Sequence, residues 1–261
     1  MMNKVKFFRS WRGFQLAFYD VGDKSAPAIL LIHGFTSSYQ INWLSSGWVQ
    51  FLCDQGFRVI ALDNLGHGKS DKPYSFIDYR LIFMAADAVS LLDHLGISKA
   101  HIIGYSMGAR IACSTALFYP SYARSVVLGG VGSGLYDLEV IDWNPIIDSF
   151  LVPSINDVQC PLGKKFRKFA EIVPENDLKA LSSCLSMTRK LFHQDDLSRI
   201  DVPVLIAVGS QDDIAGSPQE LMSCIVGSQY LNIRNRDHML AVGDMQFKQG
   251  VMEFYTRMKD R

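Results

Sequence analysis

The sequence predicts an α/β fold with a mostly parallel central sheet, helices on both of its faces, and a helical insertion. Three observations carry that expectation. Short apolar runs rich in β-branched residues alternate with longer helical patterns along most of the chain. Those apolar runs are continuous, which suits strands buried on both faces. One block, between Gly134 and Arg199, breaks the alternation and holds helical patterns without a convincing strand.

Taken in order, FQLAFYDVG (Phe14–Gly22) alternates apolar and polar residues, as a half-exposed strand does. AILLIHG (Ala28–Gly34), RVIALDN (Arg58–Asn64), AHIIGYS (Ala100–Ser106), SVVLGGVG (Ser125–Gly132) and PVLIAVGS (Pro203–Ser210) read as buried strands, and YLNIRN (Tyr230–Asn235) as a last edge strand. SFIDYRLIFMAADAVSLLDHLG reads as a helix. Ser75 and Asp78 resemble a capping box, Asp87, Ser90 and His94 form one polar face, and Gly96 ends it. MGARIACSTALFYP follows Ser106 and stops at Pro120, and GDMQFKQGVMEFYTRMKD closes the chain. Inside the block, NPIIDSFLV starts with Asn144 as a cap and Pro145 at the first helical position. LGKKFRKFAEIV and DLKALSSCLSMTRKLF are amphipathic. With no long linker, the expected organisation is a core of residues 1–132 and 200–261 with residues 133–199 packed on it as an insertion.

Composition narrows the function classes. A chain of 261 residues that is 48% hydrophobic can bury one large core. Lys+Arg and Asp+Glu balance at 26 each, so no cationic surplus points to nucleic acid or an anionic membrane. The five cysteines are scattered, odd in number and free of CxxC spacing, which suits reduced thiols in packing roles. MMNKVKFFRSWRG lacks the apolar core of a signal peptide, and no stretch approaches the ~20 apolar residues of a membrane span. The expectation is a soluble cytoplasmic protein acting on a small molecule, with homo-oligomer formation left open.

The chemistry centres on Ser106 in Gly104-Tyr105-Ser106-Met107-Gly108. A free serine hydroxyl is a poor nucleophile and needs a base in hydrogen-bond reach, itself oriented by a third group. A sharp strand-to-helix bend exposes the hydroxyl, small residues two before and two after let other backbone approach, and the next helix aims its first amides at developing negative charge. G-x-S-x-G arises by chance about 0.1 times in such a chain, so its place between a strand and a helix carries the weight. By contrast, GHGKS lacks the first glycine of a phosphate-binding P-loop, since Asp63 stands there. Arg110 reads as a helix-face contact.

With these motifs in order, the chain resembles the α/β-hydrolase family. GYSMG looks like its nucleophile elbow, LLIHGF (Leu30–Phe35) like its His-Gly oxyanion turn, and DNLGHGKSD (Asp63–Asp71) like the turn after its fourth strand. PVLIAVGSQDD and RDHMLAVGD look like its acid and histidine segments, and the insertion occupies the place of its variable cap. The resemblance spans about Phe14 to the C-terminus and is weakest over the insertion.

It implies a serine, acid, histidine order. Of six histidines, His33, His67, His94 and His101 precede Ser106, and His193 lies in the insertion, which leaves His238. Asp212 and Asp213 both follow a strand; family spacing from Gly209 favours Asp212. The backbone amides of Phe35 and Met107 are the implied oxyanion donors. Phe35, Trp143, Ile147 and Phe150 are candidate pocket residues, with Ile146, Phe166, Phe169 and Leu185 as further apolar linings. No metal or cofactor is implied. Serine in place of aspartate points away from epoxide hydrolase and haloalkane dehalogenase chemistry, and HGFTSS lacks the extra glycines of many carbon–carbon bond hydrolases. The implied function is hydrolysis of esters with small or medium acyl groups. Lactonase, thioesterase, carbon–carbon bond hydrolase and perhydrolase chemistry are alternatives on the same triad, as is a non-catalytic ligand-binding role.

Overall fold

In the computed structural model, which describes residues 5–137, 140–188 and 192–259, the chain opens with an antiparallel hairpin of β1 (Lys6–Arg9) and β2 (Gln15–Val21). Then come β3 (Ala28–Ile32), a π-helical turn (Gln40–Ser45), α1 (Trp48–Asp54), β4 (Arg58–Leu62), α2 (Leu81–His94), β5 (Ala100–Tyr105), α3 (Met107–Phe118) and β6 (Ala123–Gly129). Four helices follow without a strand among the described residues: α4 (Asn144–Asp148), α5 (Pro161–Glu171), α6 (Leu178–Thr188) and α7 (Gln194–Leu197). The chain returns through β7 (Val204–Gly209), α8 (Pro218–Cys224), β8 (Gln229–Ile233) and α9 (Met245–Lys259).

The sheet runs β1-β2-β4-β3-β5-β6-β7-β8, parallel from β4 to β8, with β1 and β2 antiparallel at one edge. This is the mostly parallel sheet that the continuous apolar runs predict. Every residue of β3, β4 and β7 is buried. Period-two geometry divides their side chains between two layers. Leu30, Ile32, Ile60 and Ile102 pack with α2 and α3 on one face. Ile29, Leu31, Val59 and Ile103 pack with Trp48, Phe247 and Phe254 on the other.

The order also places the site. From β3 the chain crosses to β4 on one side and from β5 to β6 on the other, so connections diverge beyond the C-terminal ends of β3 and β5. A crevice opens at such a reversal. The turn after β3 and the G-x-S-x-G turn after β5 both lie there.

Some local expectations need correction. Ser75 makes no capping bond; Phe76–Tyr79 is a separate 3-10 turn and α2 starts at Leu81. Buried Tyr79, whose hydroxyl donates to the Pro73 carbonyl at 2.6 Å, draws this segment inward. On the polar face of α2, Asp87 is buried under the N-terminal hairpin, whereas His94 stays exposed at one side of it. Arg12 meets Asp87 at 3.0 Å, and the His94 ring packs on Phe8 and Phe18. Strand β1 went unread because Phe8 is its one buried residue. Asn144 opens α4, but Trp143 occupies the cap position. The predicted extension of α6 through 189–191 lies outside the described residues. Among those described, no helix is long and apolar enough to cross a membrane.

Candidate active site

Ser106 stands between β5 and α3 with φ 54° and ψ −112°. A positive φ is uncommon for a residue with a Cβ and costs on the order of 1–3 kcal/mol, so the surroundings must impose it. They do so by close approach. A Cβ on Gly104 would lie 2.1 Å from the Gly108 carbonyl oxygen, and one on Gly108 would lie 2.0 Å from that of Ile32. No residue with a side chain fits either position.

The turn aims Ser106 at His238. The Ser106 hydroxyl and His238 Nε2 are 3.0 Å apart, and His238 Nδ1 is 2.8 Å from Asp212 Oδ2. Asp212 as a carboxylate only accepts, so Nδ1 carries the proton and Nε2 accepts from the hydroxyl. The side chains of His238 and Asp212 are buried, as is Ser106. Burial works against the Asp212 charge. The hydrogen bond from His238 and the electrostatic attraction of its ring, with the amides of Ile214 and Ala215, outweigh it and hold the carboxyl below its ordinary value. Asp213 is exposed and makes no such contact with His238. Asp237 accepts from the amides of Met239 and Leu240 and meets Lys165 of α5 at 3.9 Å.

Backbone bonds join the acid and histidine loops. Ser210 N donates to Ile233 O, and Gln211 N to Arg236 O. Tyr105 adds a tie of its own, donating from its hydroxyl to the His238 carbonyl at 2.6 Å.

The His-Gly turn lies beside the nucleophile. A Cβ on Gly34 would meet the Tyr105 carbonyl oxygen at 3.3 Å and Ser106 Cβ at 3.5 Å. The Gly34 amide donates to Asn42 Oδ1 at 2.7 Å, so the π-helical turn carrying Asn42 braces it. His33 is a turn residue: Nδ1 donates to Gly34 O at 2.7 Å and Nε2 accepts from Asn64 N at 3.0 Å. Burial, opposed by the Gly34 bond, brings His33 down to about 4. Asp63 accepts from the Tyr39 and Lys69 amides, joining this turn to the one after β4. Met107 opens α3, so its amide has no intrahelical acceptor.

Two small cavities meet at Ser106 and His238. One, about 50 Å³, is lined by Phe35, Phe166, Phe169, Met239 and Val242 among others. The other, about 20 Å³, is lined by Arg110, Val131, Trp143, Ile214 and Ala215 among others. Of the predicted pocket residues, Phe35 and Trp143 reach a cavity. Ile147 and Phe150 line neither: Phe150 packs behind Phe35 with ring centres 5.4 Å apart, and Ile147 packs on the core. Ile146 and Leu185 are likewise core residues, whereas Phe166 and Phe169 line the larger chamber. Sequence patterns missed Asn42 and the Tyr105 hydroxyl, since each acts through a backbone partner that periodicity does not reveal.

A larger cavity of about 780 Å³ opens at the opposite end of the sheet, away from Ser106, His238 and Asp212. Lys24, Arg58, Lys99 and Arg124 line it, near where α1, α2 and α9 end. Among the described residues no group of three or more His, Cys, Asp and Glu is placed to hold a metal ion.

Comparison with known proteins agrees with this architecture. A model of the alpha/beta hydrolase fold matches residues 27–159, just over half of the chain. The pig protein named bifunctional epoxide hydrolase 2 is 32% identical over 167 residues, which are 60% of this chain and 29% of that protein. The chain covers less than half the length of the curated relatives it matches. A crystal structure from a study of carboxylesterases of the thaumarchaeon Nitrososphaera gargenis superposes with a TM-score of 0.81 at 20% identity, over 98% of this chain and all of that one. The enol-lactonase of Burkholderia xenovorans LB400 superposes with a TM-score of 0.77 at 20% identity, over 96% of this chain and all of the other. At such identity the shared property is the fold, and the family match rests on the segment from β3 past the nucleophile turn. The chain belongs to the α/β-hydrolase fold family.

Proposed function

We infer that the protein is a serine hydrolase cleaving carboxylic esters of small or medium acyl groups through an acyl-enzyme intermediate. The observation that carries this reading is the continuous path Ser106 Oγ to His238 Nε2 and His238 Nδ1 to Asp212 Oδ2, at 3.0 and 2.8 Å. In the proposed cycle His238 takes the Ser106 proton as Oγ bonds to the ester carbonyl carbon. Asp212 holds the productive tautomer and balances the imidazolium. The amides of Phe35 and Met107 receive the oxyanion. The carbon–oxygen bond to the alcohol breaks, and His238 returns its proton to the leaving alkoxide. Water then attacks the acyl-serine by the same route and frees the acid.

The nucleophile selects among the chemistries of relatives. An epoxide opened by a serine would leave an alkyl ether, which offers water no carbonyl to attack. An acyl-serine does offer one, so acyl transfer fits Ser106 and epoxide opening does not. The sizes of the two chambers favour compact substrates, and the α4–α7 segment is the proposed lid over them.

Ser106→Ala should abolish turnover of p-nitrophenyl acetate, and labelling by a fluorophosphonate probe, with the thermal unfolding midpoint retained. Undiminished turnover in that variant would sink the assignment. Failure of the wild-type protein to label would favour the non-catalytic alternative.

A further inference from the structure

We propose that Arg110 determines acyl-chain specificity: it pins both ends of the α4–α6 segment to the helix that follows Ser106 and so sets the size of the smaller chamber. This inference rests on the serine hydrolase reading.

Arg110 lies one helical turn beyond Ser106, its amide donating to the Ser106 carbonyl at 3.2 Å. The helix-face contact that its sequence position suggests is a buried one, since the residue is only 2% exposed. From there the guanidinium reaches the segment's two roots. Nη1 donates to Gly134 O at 3.0 Å and Nη2 to Leu135 O at 3.5 Å, on the way out of β6. Nε donates to Thr188 O at 2.7 Å, where α6 ends on the way back. The Phe192 amide also donates to Leu135 O, at 3.2 Å, so outgoing and returning chain meet at the same point. The planar fork of arginine suits several acceptors in fixed directions, whereas a lysine ammonium is a single flexible point. A cation also suits the C-terminal end of α6. Burial draws Arg110 down to about 10, which still leaves it charged at neutral pH.

The same side chain lines the chamber of about 20 Å³ beside Ser106, with Val131, Trp143, Ile214 and His238. That volume is little more than one water requires. The walls contributed by Gly134 and Trp143 belong to the pinned segment. While the pin holds, they cannot retreat to admit a longer chain. Without it the segment can shift and the chamber can grow.

The test uses Arg110→Met and Arg110→Lys in the full chain. kcat/KM is measured for p-nitrophenyl acetate and hexanoate, with thermal unfolding and fluorophosphonate labelling alongside. The hexanoate-to-acetate ratio should rise about tenfold or more in Arg110→Met, mainly through a lower KM for hexanoate, and by an intermediate factor in Arg110→Lys. A merely structural arginine would lower both substrates together and leave the ratio unmoved. A rise of about threefold or more in Arg110→Met supports the proposal, and a smaller one overturns it. If Arg110→Met yields no soluble protein, Arg110→Lys decides alone: a rise of about threefold or more supports the pin, and a smaller one overturns it. Failure of the hydrolase reading would show separately, as an unlabelled wild-type Ser106.

Discussion

The Tyr105 hydroxyl donates to the main-chain carbonyl of His238 at 2.6 Å, so the residue before Ser106 holds the backbone of a histidine 133 residues further on. Tyr105 is itself buried and its ring packs near that of His238, with centres 5.6 Å apart. Tyr105→Phe keeps the ring and removes the tie. We expect kcat to fall about tenfold with KM little changed, and stability to fall by about 1–2 kcal/mol because a buried carbonyl loses its partner. Steady-state kinetics with urea unfolding measure both, and an unchanged kcat would show that the loop holds His238 unaided.

Asp212 and Asp213 are adjacent in sequence but differ in what they reach. Asp212→Asn leaves an amide facing Nδ1 that can stabilise the wrong tautomer, and kcat should fall about 10³- to 10⁴-fold. Asp213→Asn should stay within about twofold of wild type, because exposed substitutions away from such networks have small effects. Parallel kinetics on the two variants check the assignment, which fails if Asp213→Asn is the more damaging.

Asn42 offers a different kind of test, since it holds the Gly34 amide and makes no hydrogen bond to Ser106, His238 or Asp212. Asn42→Ala removes the brace on the turn that presents the Phe35 amide. kcat should drop about ten- to a hundredfold through misplacement of that donor, while labelling of Ser106 persists at a reduced rate. Labelling rates by active-site probe separate this outcome from loss of the nucleophile.

Gly108 tests the packing beneath the turn. With a Cβ position 2.0 Å from the Ile32 carbonyl oxygen, Gly108→Ala forces α3 away from β3. Destabilisation of about 3 kcal/mol or more is expected, measured by chemical denaturation. A variant of native stability would contradict the close approach.

His33 supplies a pH prediction with a definite sign. Its native value, about 4, lies below the ordinary 6.5, because it is buried with Nε2 facing the Asn64 amide. The unfolded chain therefore binds a proton that the native chain does not between those values. The contribution of neutral His33 to stability is fully present above pH 6.5 and is lost as pH falls toward 4. Asp63, raised by burial to about 6, runs the opposite way: its stabilising protonation grows as pH falls through 6 toward 3.8. His33→Gln isolates the histidine. Between pH 6.5 and 5, wild type should lose about 1.5 kcal/mol relative to His33→Gln. Urea unfolding of both proteins at the two pH values measures the double difference, and a value near zero would mean His33 is protonated in the native state.

Much of the site was legible in the sequence because its parts carry local signatures. A glycine pair around Ser106 announces close backbone approach, and continuous apolar runs announce buried strands. Chain order then singles out His238 under the family pattern. Residues acting through distant backbone partners carry no such mark. Tyr105 reads as a strand residue, Asn42 as a polar residue in a loop and Arg110 as a helix-face cation until their hydroxyl, amide and guanidinium find carbonyls or amides elsewhere. The burial of Asp87 against Arg12 carries no local mark for the same reason, since its partner lies 75 residues away.

Sequence alone determined the strand and helix alternation, the parallel sheet and the short list of candidate site residues, because periodicity, glycine placement and motif order are properties of neighbouring residues. Tertiary structure decided the meeting of Ser106, His238 and Asp212, the choice of Asp212 as partner over its neighbour, and which aromatic residues line the chambers. Those outcomes depend on angstrom-scale distances between segments far apart in the chain, set by how β3, β5, β7 and the loops beyond them pack together.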